Sequence, residues 1–127
     1  MNSAITLDAG PLILLDKNHR GVAILLERAR MKGDTVIVPA TALAQAIRNP
    51  ARQARLARLI RQPRTAVIPL DRDEAAQVGR LLGASGTADI ADAHVAICAQ
   101  RSGSTVITTD PDDLAALAPE LNVVVLQ

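Results

Sequence analysis

The sequence predicts an α/β fold: a three-layer α/β/α sandwich around a parallel sheet of about five strands. Two observations carry this expectation. Short runs of β-branched and aliphatic residues recur along the chain, each almost wholly apolar, as strands buried on both faces are. Helical stretches alternate with them, which is the pattern of helices packed on both sides of a parallel sheet. The 127 residues hold no internal repeat or low-complexity linker. They are enough for one compact domain, 1–127, with a real core, and too few for two.

Ile5 to Leu7 reads as the first buried strand. Asp8 ends it, Gly10 permits a turn, and Pro11 can open a short helix to Leu15. His19 to Met31 is a longer helix with apolar residues at 22, 25, 26 and 29, stopped by Lys32-Gly33-Asp34. Thr35 to Val38 is the second strand, and Pro39 starts a helix from Ala40 to Ile47 that ends near Asn49-Pro50. Ala51 to Gln62 is a strongly basic helix, and Thr65 to Leu70 the third strand.

Asp71 is a good N-cap for a helix to Leu82, with Glu74 completing a capping-box pattern. Gly83-Ala84-Ser85-Gly86 reads as a flexible turn. Thr87 or Ala88 opens a helix to about Arg101, closed by Ser102-Gly103. Thr105 to Thr108 is the fourth strand, Pro111 to Leu117 a short helix, and Val123 to Leu126 the last strand.

Composition excludes several classes. Phe, Tyr and Trp are absent, so Leu, Ile, Val and Ala fill the core and no ring can stack on a base, against the usual single-strand-binding modules. One cysteine, Cys98, cannot form an internal disulfide and points to a reducing, cytoplasmic setting. No run approaches the ~20 apolar residues a membrane span needs. Charge is polarised: residues 17–64 hold eleven basic side chains against two acidic, and residues 65–127 hold three against nine. Such separation suits an acidic site beside a surface that attracts a polyanion.

The acids fall at strand exits and helix entries. Asp8 closes the first strand, and sites in open α/β sheets form beyond the carboxyl ends of the strands. Asp89 and Asp92 stand at i and i+3 in the first turns of one helix, neighbours on one face near the positive end of its dipole. Asp110 repeats the logic of Asp8: strand, acid, proline-led helix. Asp110 is also an excellent N-cap, and Asp112 and Asp113 favour the same helix end. Carboxylates crowded in one crevice repel unless a cation joins them. Hard oxygen ligands suit Mg²⁺ or Mn²⁺ rather than zinc, and no Cys/His ligand spacing competes.

Four stretches together carry a resemblance. They are Leu7-Asp8-Ala9-Gly10-Pro11-Leu12-Ile13, Val38-Pro39-Ala40 with the helix through Arg48, Thr87 to Ala96, and Ile107 to Leu114. In these the chain resembles a PIN domain, of the kind found in VapC-type toxin ribonucleases of bacterial toxin–antitoxin pairs. The resemblance implies strand order 3-2-1-4-5 and a quartet of acids holding Mg²⁺ or Mn²⁺. It implies hydrolysis of RNA phosphodiesters by in-line attack, leaving a 3′-hydroxyl and a 5′-phosphate. Carried over by position, Asp8, Asp92 and Asp110 are metal ligands, Asp89 joins or supports them, and Asp112 or Asp113 adds an outer contact. It also implies a VapB-type antitoxin partner and a homodimer, whose face the apolar stretch Leu12 to Leu15 and the helix His19 to Met31 can supply.

One position departs from the family. Gln45 stands where a second acid is usual, bringing an amide oxygen but no charge. That departure keeps a second reading open: a catalytically impaired PIN domain that binds RNA or a protein partner.

The basic helix adds an expected surface. Ala54, Ala57, Leu59 and Ile60 face inward, while Arg48, Arg52, Arg55, Arg58 and Arg61 form a face for RNA phosphates or for the antitoxin. Thr108 or Thr109 can hydrogen-bond a phosphate oxygen or a ligand carboxylate. His94 points away from the acids in a packing or supporting role, and Cys98 reads as a small buried hydrophobe. Phosphoryl-transfer domains fit less well. The chain has no late lysine, no Asp-x-Asp after the first strand, and no Gly-rich Lys-Ser/Thr phosphate loop.

Overall fold

A computed structural model describes residues 3–127. Five strands, β1 (Ala4–Leu7), β2 (Thr35–Pro39), β3 (Thr65–Ile68), β4 (Thr105–Thr108) and β5 (Val123–Val125), form one sheet. Its order is β3-β2-β1-β4-β5 and every pairing is parallel. Ile5 lies opposite Val36 on one side and Thr105 on the other, so β1 is central. Consecutive residues are buried in the inner strands: Thr6 with Leu7, Val36 to Val38, Val106 to Thr108. Successive strand side chains point to opposite faces, so both faces are covered and the three-layer expectation holds.

The helices are α1 (Ala9–Asp16), α2 (Arg20–Lys32), α3 (Ala40–Ala46), α4 (Ala54–Ile60), α5 (Arg72–Ser85), α6 (Ile90–Ser102) and α7 (Pro111–Leu117). Leu7, Leu12, Leu56 and Leu114 are wholly buried, each contributing about 1.5–3 kcal/mol of transfer free energy. Aliphatic side chains thus do the packing that aromatic rings do elsewhere. No helix among the described residues is long and apolar enough to cross a membrane.

Three expected elements are corrected. The first helix starts at Ala9, not Pro11, because Asp8 itself is the N-cap and its Oδ1 accepts the Ala9 amide at 2.8 Å. The basic stretch is broken into a 3₁₀ turn at Pro50–Arg52 and α4. Gln53 sits between them, buried; its Oε1 accepts the amides of Arg48 and Asn49, and its Nε2 donates to the Ala46 carbonyl and to Asp16. The register shifts accordingly, so Leu56 and Leu59 face the core and Ala54 is exposed. Gly83 to Ser85 belong to α5, which ends only at Gly86 with φ 72°.

The supposed dimer face is also corrected in part. Leu12 and Leu15 lie in the core of the chain itself, and only Ile13 of that stretch is exposed.

Candidate active site

The carboxyl edge of the sheet gathers acids from three places. At the end of β1, Asp8 is nearly buried, and its second oxygen, Oδ2, accepts the Thr108 hydroxyl of β4 at 2.7 Å. The same hydroxyl oxygen accepts the Asp110 amide at 3.0 Å. One threonine at the end of β4 therefore links the acid of β1 to the residue that leads into α7. Gly10 brings the two segments close: a Cβ there would lie 2.1 Å from Thr109 Oγ1 and 3.1 Å from its Cβ.

Asp110 does not cap α7 with its side chain, contrary to expectation. Its carboxylate is left to face the other acids. Asp89 is the N-cap of α6 rather than a residue of its first turn, and its Oδ1 accepts the Asp92 amide at 2.9 Å. Asp92 follows in the first turn of α6.

The charges of these groups are felt at one another. Burial pushes the Asp92 carboxyl up to about 7, and the charges of Asp89, Asp8, Asp113 and Asp110 push the same way. Asp113, on α7, is raised by the charge of Asp110, with burial and a hydrogen bond to Asp110 adding to it. Five carboxylates from three segments therefore repel along the carboxyl edge of the sheet, although among the described residues no three of them bring oxygens within 4.8 Å of one another. An all-oxygen, strongly anionic donor set of this kind fits a hard divalent ion such as Mg²⁺ or Mn²⁺.

Two groups of predicted residues share no hydrogen bond or ion pair with these acids among the described residues. Gln45 is exposed on α3 and has no hydrogen bond among the described residues. The arginines Arg48, Arg52, Arg55, Arg58 and Arg61 are exposed, and none pairs with a carboxylate among the described residues. Arg48 folds back onto the last carbonyls of α3, donating to Ile47 O at 2.7 Å. Arg55 and Arg58 line a groove of about 660 Å³ with Leu15, Leu26, Asp34 and Thr65. Asp34 and Thr65 stand where β2 and β3 begin, so this groove lies at the amino edge of the sheet, opposite the acids.

A second cluster was not foreseen. Asp71 caps α5 as expected, its Oδ1 accepting the Glu74 amide at 2.9 Å, but the Glu74 side chain does not complete the box; it is 3 % exposed and points inward, where Arg101 Nη1 donates to its Oε2 at 2.5 Å. Its Oε1 lies 3.4 Å from His94 Nε2 and 3.6 Å from Cys98 Sγ. On its other side His94 Nδ1 meets Thr41 Oγ1 at 2.7 Å, so the histidine does turn away from the acids, as expected. Burial holds His94 below its ordinary value, and burial together with Glu74 pushes the Cys98 thiol up to about 12. The spacing of His94 and Cys98, four apart on one helix face, was the available signal.

Comparison with known proteins bears on the family and the fold. The sequence pattern of the PIN domain matches residues 5–119. Comparison with curated proteins gives no sequence match. Among solved structures, the chain is similar to one in VapBC2 from Rickettsia felis bound to a DNA fragment from their promoter. Identity there is 17%, coverage 98% of this chain and 99% of that one, and the TM-score 0.72. It is similar to FitAcB from Neisseria gonorrhoeae at 19% identity, 94% and 95% coverage and TM-score 0.59. A structure of FitAB bound to an IR36 DNA fragment gives 17% identity, 94% and 93% coverage and TM-score 0.63. The matched pattern spans nearly the whole sheet and all of the acids described above, and the chain belongs to the PIN domain family.

Proposed function

We propose that this PIN domain is a divalent-metal-dependent endoribonuclease, the VapC-type toxin of a toxin–antitoxin pair. The observation that supports it most is the state of Asp92. Burial first, and then four other carboxylates from three segments, raise its affinity for a proton, and a site built only for stability has no use for the added repulsion. Asp8, Asp92 and Asp110 would hold Mg²⁺ or Mn²⁺, with Asp89 beside them. A bound divalent ion supplies Lewis-acid activation of water and neutralises charge on the scissile phosphate.

The chain's own residues do the rest. Thr108 fixes the Asp8 carboxylate through its hydroxyl and holds the Asp110 amide with the same oxygen. The Asp89 side chain ties down the first turn of α6 and so the backbone of Asp92.

A protein partner is the better occupant of the arginine-lined groove. Its floor includes Leu15, Leu26 and Leu59, and its rim Arg30, Arg55, Arg58 and Arg64. An apolar floor with a basic rim suits an amphipathic, acidic segment, and the groove lies away from the reaction. The solved relatives VapBC2 and FitAB are named as pairs, which supports an antitoxin here.

The test is cleavage of RNA by purified protein with Mn²⁺ or Mg²⁺, beside Asp8→Asn and Gln45→Glu. Metal-dependent cleavage by the wild type, lost in Asp8→Asn, is the expected result. Gln45 supports one other reading, a domain that binds without cutting. In that case the wild type is inert and Gln45→Glu restores cleavage.

A further inference from the structure

The cluster on the far side of α6 has a chemistry of its own. Two residues along a helix turn the side chain by about 200°, so Asp92 and His94 face opposite ways. We propose that Glu74, His94 and Cys98 form a binding site for one zinc-class divalent ion, distinct from the acids at the sheet edge.

The distances fit. Zinc bonds of ~2.0 Å to oxygen and nitrogen and ~2.3 Å to sulfur, set tetrahedrally, place ligand atoms roughly 3.3–3.5 Å apart. Here Glu74 Oε1 stands 3.4 Å from His94 Nε2 and 3.6 Å from Cys98 Sγ. All three donor atoms lie within 4.8 Å of one another. Carboxylate oxygen, imidazole nitrogen and thiolate sulfur are the donors of zinc rather than of magnesium.

The outer partners are in place as well. Thr41 holds His94 Nδ1, fixing the ring with Nε2 inward, and such an anchor is what metal-bound histidines ordinarily have. Arg101 takes Glu74 Oε2 and leaves Oε1, the oxygen nearest both other ligands. Its side chain is half-exposed and forms the cover through which an ion enters. Three protein ligands leave a fourth position for water.

A plain hydrogen-bonded cluster accounts for two of the three groups, since the Cys98 thiol can donate to Glu74. It does not account for the third. His94 is completely buried, and among the described residues its Nε2 meets no hydrogen-bond geometry, its one polar neighbour being Glu74 Oε1 in a long contact of 3.4 Å. It feels the Glu74 carboxylate without being aligned to it. A buried polar atom left in this state costs about 1–3 kcal/mol, and a metal bond removes that cost. On binding, the Cys98 thiol releases its proton to solvent and the sulfur bonds the ion. The two negative ligands offset the charge of the ion, and the positive charge that remains is that of Arg101 at the half-exposed cover. The ion would clamp α5 to α6, the helix whose first turn carries Asp92.

Cobalt(II) tests this on the reduced full-length chain. Cys98 is the only cysteine, so a thiolate-to-cobalt charge-transfer band has a single possible source. The expected result is a band saturating at one equivalent and abolished by added Zn²⁺. It should disappear in Cys98→Ser, persist in Asp8→Asn, and need about 10–100-fold more cobalt in Thr41→Val. Circular dichroism confirms that each variant is folded. No band from folded, reduced wild type under excess Co²⁺ overturns the proposal, as does a band that survives in Cys98→Ser. Persistence in Asp8→Asn keeps this site separable from the nuclease reading.

Discussion

Thr108 donates its hydroxyl to Asp8 Oδ2 at 2.7 Å across a hundred residues of sequence. It is a completely buried polar side chain, and its oxygen also receives the Asp110 amide. Replacing it with valine keeps the β-branched shape and removes only the hydroxyl. Asp8 Oδ2 and the Asp110 amide then each lose a partner. Thr108→Val should lower stability by about 1–3 kcal/mol, read from the denaturant midpoint. If the acids are the metal site, the same variant should also need more Mn²⁺ for half-maximal RNA cleavage. Unchanged stability and metal requirement together would show that the hydroxyl positions nothing.

The Asp92 carboxyl gives a pH dependence of definite sign. Its folded value, about 7, lies above the ordinary 3.8. Between those values the folded chain holds a proton that the unfolded chain has lost. Stability from this group therefore falls as pH rises from about 4 to about 7, and is level outside that window. In metal-free buffer, Asp92→Asn should flatten the loss of thermal midpoint between pH 5 and pH 8 relative to wild type. Mn²⁺ should raise the wild-type midpoint more at pH 8 than at pH 5, because a cation competes with the proton. Equal Mn²⁺ shifts at both pH values would detach Asp92 from metal binding.

The strands and the acids at their exits were legible because they depend on local pattern: apolar strands, a proline or glycine beyond each, an acid between; the order of the strands came only from the resemblance to the PIN family. The boundary errors have local causes too. Asp8 was read as an acid closing a strand, when the same carboxylate also caps α1. Gln53 looked like part of a polar helix face; its role depends on amides and carbonyls from Ala46 to Asn49, which no periodicity reveals. Glu74 matched a capping box by spacing, yet Arg101, His94 and Cys98 draw it inward from 20 or more residues away. Long-range pairing of that kind decides a side chain's direction and leaves no mark in the sequence around it.

Gly10 is held by proximity rather than by backbone conformation. Alanine in the first turn of α1 gains up to about 1 kcal/mol of helix propensity. Against this, the new Cβ would meet three atoms of the Thr109 side chain at 2.1 to 3.1 Å. Rotating that side chain cannot relieve the contact with its Cβ. Overpacking of about 1–3 kcal/mol should win, so Gly10→Ala lowers the unfolding midpoint. Adding Thr109→Ala removes the two closest atoms and should recover most of the loss. Additive single and double variants in that cycle would refute the contact.

Gln45 is the residue proposed to stand where the site lacks an acid. Gln45→Glu adds a charge of the sign the family usually places at this position. It should lower the Mn²⁺ concentration for half-maximal cleavage by roughly tenfold, about 1.4 kcal/mol of binding. Its exposure means that the new carboxylate is readily hydrated and should not destabilise the chain. An unchanged metal requirement would place Gln45 outside the site.

The groove arginines separate partner binding from RNA binding. Arg55 and Arg58 line the amino edge of the sheet with Leu59, while Asp8 and Asp110 stand at its carboxyl edge. Were both arginines on RNA phosphates, Arg55→Ala/Arg58→Ala would reduce the salt slope of RNA affinity by about 1.4, at ~0.7 per contact with a single strand. The partner reading gives a different outcome. The RNA salt slope and the cleavage rate stay near wild type, while affinity for the antitoxin drops at least tenfold and loses part of its own salt dependence. Titrating both ligands against the same double variant, at two salt concentrations, decides which macromolecule this basic rim serves.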